Sequence, residues 1–132
     1  MNSIRHLPLV GCVALIYAAV AMVGGGAQTV LSTGLPSGAQ WSLGAGDLLV
    51  VIAVVALYFE VLKATRTTQA SVVDHILSLF AFVACLFGFL FVGALGTSTF
   101  LVIMIMALVD VIAGFTVTIS TARRDFSFPE RE

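Results

Sequence analysis

The chain is short of charge. Only 10% of its 132 residues are Asp, Glu, Lys or Arg, where an average soluble domain carries roughly 25%. With 60% hydrophobic residues and a mean hydropathy of +1.13, too little polar surface remains to keep such a chain in water. A soluble globular domain is excluded on that ground. The net charge of -1 supplies no basic surface for nucleic acid, which is bound chiefly through its phosphates. Cysteine is scarce too. Cys12 and Cys85 are far apart, and neither belongs to a CxxC or a Cys/His cluster, so neither a disulfide framework nor a metal site is expected. Both read as small buried apolar residues. No glycine-rich nucleotide loop and no nucleophile–base set is found. The expectation is a protein that is not an enzyme and takes no cofactor.

What the chain does hold is long apolar runs. A spanning helix needs about 20 largely apolar residues at a rise of 1.5 Å each. Four stretches qualify, at about 7–23, 43–64, 72–94 and 99–121. None shows the alternation of a barrel strand, and backbone groups in hydrocarbon must bond within their own segment unless a barrel closes. The expected fold is all-α: a polytopic four-transmembrane-helix bundle forming a single membrane domain over 1–132. Residues 24–42 are expected as an outer loop and 122–132 as a cytoplasmic tail. The loop is rich in Gly, Ser and Thr, and its Val30, Leu31, Leu35 and Trp41 are candidates to lie on the outer membrane surface. An alternative boundary carries span one on to about Leu31, with Gly24-Gly25-Gly26 inside it.

The basic residues orient the bundle. Arg5 precedes span one, Lys63 and Arg66 separate spans two and three, and Arg123, Arg124 and Arg131 follow span four. These are all six Lys and Arg of the chain, and the other two connections have none. An even number of spans puts them on one face, which the positive-inside rule makes cytoplasmic. Both termini are therefore expected inside (N-in/C-in), in a bacterial inner membrane. Local signals support the spans. Pro8 suits a first helical turn, Ser71-Val72-Val73-Asp74 reads as a capping box opening span three, and Trp41 and Tyr58 fall near the interfaces. The first 28 residues also have the outline of a signal peptide, and Leu9-Val10-Gly11-Cys12 that of a lipoprotein signal. The apolar stretch before Cys12 is too short for the lipoprotein signal, since such regions run to about 7–15 residues.

In lipid, helices associate by close packing of small residues and by polar contacts. Span three offers Ala81, Ala84, Cys85, Gly88 and Val92, with Ala84 and Gly88 as a small-xxx-small pair. Span four offers Ala107, Asp110, Gly114, Val117 and Thr121, and span two Gly46, Ala53, Ala56, Glu60 and Ala64. Ala84, Gly88, Ala107 and Gly114 are the expected helix-packing positions. Both intramembrane acids fall on such faces.

Asp110 stands near the midplane of span four. A charged Asp there costs about 2.5–3.5 kcal/mol on insertion scales, and no span holds a cation to offset it. It is expected neutral, hydrogen-bonded to a hydroxyl or a carbonyl. Glu60, one turn inside the end of span two, is expected to pair locally with Lys63 and to snorkel. Asp47 and Asp74 suit the first turns of their helices. His6 and His75 share a cytoplasmic depth but bring no further ligand for a haem or metal. Arg123-Arg124 and the following Phe126 and Phe128 suit an interface.

Two functions are compatible with this pattern. One is a structural or accessory subunit that packs on itself, as a homo-oligomer, or on a larger membrane complex. The alternative is a small homo-oligomeric proton- or cation-coupled transporter or channel using Asp110.

Overall fold

A computed structural model describes residues 7–65 and 70–125. Helix α1 (Leu9–Met22) leads into an antiparallel hairpin of β1 (Thr29–Gly34) and β2 (Gln40–Gly44), followed by α2 (Ala45–Ala64). Helix α3 (Ala70–Phe91) returns, a short 3-10 turn covers Gly93–Leu95, and α4 (Ser98–Asp125) closes the order. The helices alternate in direction. The hairpin and the 3-10 turn mark one end, called the hairpin end, and the α2–α3 connection marks the basic end. Three helices (α2, α3 and α4) are long and apolar enough to cross a membrane, whereas α1 is a shorter apolar helix. Its 14 residues reach about 21 Å against a hydrocarbon core of about 30 Å.

The two-stranded sheet corrects the all-α expectation. Its cause is local. Pro36-Ser37-Gly38 forms the turn, Gly38 donates to the carbonyl of Leu35, and Leu35 donates to that of Ala39, both at 2.9 Å. Gly38 has φ +86°, the left-handed conformation that such a three-residue hairpin loop requires.

The longer extension of span one is excluded by a Schellman end. Gly24 (φ +76°) donates to Ala21 at 3.0 Å, and Gly25 donates to Val20 at 2.9 Å. These two bonds satisfy the last carbonyls and turn the chain out of the helix. Two other boundaries differ from expectation. Ser71 lies inside α3 rather than ahead of it. Helix α4 continues to Asp125 through part of the stretch read as tail. Phe126, Phe128 and His6 lie outside the described residues.

Helix α4 packs against all three other helices, and α1 also packs against α2 and α3. Each helix turns a narrow face inward. From α1 come Val10, Val13, Ala14 and Tyr17, and from α2 Leu49, Ala53 and Ala56. Cys85 of α3 meets Phe100, Ile103 and Ala107 of α4 in the same core. The opposite faces leave Leu15, Phe80, Leu90 and many other large apolar side chains exposed. Exposed apolar area on that scale is rare on soluble monomers and suits helices embedded in a membrane.

Close approach sets the packing. A Cβ on Gly11 would stand 2.8 Å from that of Ala81, so α1 and α3 nearly touch there. Gly88 faces Leu95 at 3.1 Å and the ring of Phe100. Ala107 is buried, but Ala84 is exposed. The inward face of α3 runs through Ser78, Cys85 and Gly88, and a helix turn of 100° per residue carries Ala84 away from it.

Candidate polar site within the bundle

Among the described residues four polar or charged side chains are buried: Glu60, His75, Ser78 and Asp110. They come from three helices and meet in one place, nearer the basic end. Helices α2 and α4 both start at the hairpin end. Glu60 and Asp110 stand about 22 and about 18 Å along them at 1.5 Å per residue, hence at similar depth. His75 and Ser78 are one turn apart on α3.

Glu60, with 3% of its surface exposed, reaches across to the start of α1. One carboxylate oxygen accepts the Leu9 N–H at 2.5 Å and the other that of Val10 at 3.2 Å. The first amides of any helix lack intrahelical acceptors, and the residue ahead of this one is Pro8, which makes no side-chain cap. A carboxylate from another helix therefore does what an N-cap residue does locally, with the helix dipole in its favour. The expected local pair with Lys63 is not what holds Glu60. Lys63 instead reaches Asp74 of α3 at 3.6 Å, tying α2 to α3 at the basic end.

Asp110, 7% exposed, is hydrogen-bonded to Ser78 and faces the Glu60 carboxyl within side-chain hydrogen-bonding reach. His75 and Lys63 also lie near it. A hydrogen bond between two carboxyl groups needs a proton on one of them, because an ionised carboxylate only accepts. His75 packs its ring 6.0 Å from that of Phe115 and lies against Gly114. A Cβ built on Gly114 would overlap the imidazole. Gly114 is thus the gap in α4 that admits His75. No buried side-chain nitrogen or oxygen among the described residues lacks a hydrogen-bond partner.

The remaining candidates lie elsewhere. Thr116 and Thr118 bond back to the carbonyls of Ile112 and Gly114, at 2.8 and 3.0 Å, and do not join the cluster. Asp47 is at the hairpin end, accepting the Gly44 N–H at 3.0 Å. There Tyr17, unnoticed in the sequence, is buried against Phe100, the two rings stacked with centroids 5.6 Å apart. Its hydroxyl meets that of Thr97 at 2.7 Å, and Thr97 in turn caps α4 by accepting the Phe100 N–H at 3.1 Å. An open cavity of about 510 Å³ touches Tyr17, Thr97 and Asp47, at the opposite end of the bundle from the acids. Cys12 and Cys85 are both free. Among the described residues no three His, Cys, Asp or Glu are grouped to hold a metal.

Comparison with family models, curated proteins and solved structures gave no match.

Proposed function

We propose that this protein is a four-span integral membrane subunit whose role is structural: it packs on copies of itself or on a larger membrane complex. The reading is carried by how the buried polar groups are spent. Glu60 holds the start of α1, and Asp110 holds Ser78 of α3. Each acid joins one helix to another, and the cavity lined by Tyr17, Thr97 and Asp47 is at the other end. The membrane frame places the basic end in the cytoplasm, both termini inside, in a bacterial inner membrane. It rests on the sequence positions of the six Lys and Arg, all before span one, between spans two and three, or after span four.

A second reading, proton- or cation-coupled transport, has one observation in its favour. Glu60 and Asp110 face each other and share a proton when hydrogen-bonded. Proteoliposomes under a pH gradient separate the two. In the structural reading wild type and Asp110→Asn are equally silent, and both bring down the same partner or oligomer from native membranes in mild detergent. Flux in the wild type that disappears in Asp110→Asn would overturn the structural reading.

A further inference from the structure

The hairpin between α1 and α2 is amphipathic in a way that the loop composition conceals. Its register pairs Leu31 with Leu43 and Thr33 with Trp41, and, between them, Ser32 with Ser42 and Gly34 with Gln40. Directly opposed residues point to the same face of a sheet, and successive residues alternate. One face therefore presents Leu31, Leu43, Trp41 and Thr33, and the other Ser32, Ser42 and Gln40. The apolar face is not covered by the helices: Leu31 is 53% and Trp41 42% exposed. A lone two-stranded hairpin is marginal in water and needs its apolar face covered.

We propose that this face lies on the headgroup layer of the outer leaflet, with Trp41 as its anchor; the inference rests on the membrane frame above. Two observations choose lipid over a protein partner. From Gly24 to Gly46 the chain holds no Asp, Glu, Lys, Arg or His, so it lacks the charges that steer and select a protein partner. The hairpin is tied to the start of a membrane-crossing helix, since Ala45 donates to Gln28 at 2.8 Å and Gly46 donates to Gly26 at 3.2 Å. The depth is bounded as well. A two-stranded ribbon has unpaired backbone groups along both outer edges, which forbids hydrocarbon but not the hydrated interface where tryptophan concentrates. An uncharged ribbon fits zwitterionic lipid.

Trp41 is the only tryptophan of the chain, so its emission reports on the hairpin alone. The full chain is reconstituted in phosphatidylcholine vesicles carrying bromine at shallow or deep acyl positions, with carbonate-resistant flotation as a separate check that the bundle is inserted. The expected result is blue-shifted emission, quenched most by the shallow bromines, little by aqueous iodide, and unchanged when protein is diluted in lipid. Replacing the apolar face by Leu31→Lys should lose the bromolipid quenching and restore access to iodide, with flotation intact. Strong iodide quenching without bromolipid quenching, in flotation-positive vesicles, would show the hairpin standing in water and overturn the proposal. So would shielding that is lost on dilution, which would identify a second copy as the cover. Failure of flotation would overturn the membrane frame itself.

Discussion

Glu60 is the side chain on which most of the interior depends. Truncation to Ala removes the acceptor for two amides at the start of α1 and leaves Asp110 facing an empty space. A buried donor left without its partner costs about 1–3 kcal/mol, so Glu60→Ala should lower stability by at least that amount. Glu60→Gln keeps one acceptor oxygen and should cost clearly less. Unfolding in mixed micelles with increasing SDS measures both, and equal losses would show that capping is not its role. Gly114 and His75 form a second dependent pair. Gly114→Ala forces the imidazole to move, a strain of about 1–3 kcal/mol, and His75→Ala in the same background should recover part of it. A double-mutant cycle with no coupling would contradict the packing described.

Among the elements, α2 was the most legible in sequence. Its small-residue face through Ala53, Ala56 and Glu60 is the face that is buried, because in lipid the narrow side of a helix is the one a neighbour can approach. The hairpin was not legible: five- and six-residue strands broken by Gly and Ser give little periodicity, although Pro36-Ser37-Gly38 between Leu31 and Trp41 is a recognisable turn signal. The meeting of Glu60 with Asp110 was half legible. Spans two and four run the same way, but spacing sets Asp110 near the midplane and Glu60 one turn from the end of its span, and helix rotation is not fixed by spacing alone. The sequence places His75 only by its cytoplasmic depth, and the notch at Gly114 explains its burial. Gly88 provides the test of α3. Gly88→Leu would drive a side chain into Leu95 and Phe100, which is expected to destabilise the bundle by about 1–3 kcal/mol or more. An unchanged SDS midpoint would show that α3 can turn that face to lipid.

At the scale of the molecule, the proposed topology has a direct check. A cysteine placed at Ser37, in the hairpin turn, should react with an impermeant reagent on intact cells, whereas cysteines at Ser3 and Ser127 should react only after permeabilisation. Reaction of Ser127→Cys from outside would end the four-span, both-termini-inside arrangement. The crossing contact at Glu60 also bears on biogenesis. The amides it satisfies at Leu9 and Val10 precede it by 51 and 50 residues, so α1 is synthesised before its cap. A helix that enters lipid with its leading amides unsatisfied is held back by several kcal/mol per group. The first helix is therefore expected to wait in the insertion machinery and to partition into the bilayer together with α2, as a pair. Nascent chains stalled before Glu60 has emerged should remain extractable by alkaline carbonate, while chains stalled after it should not.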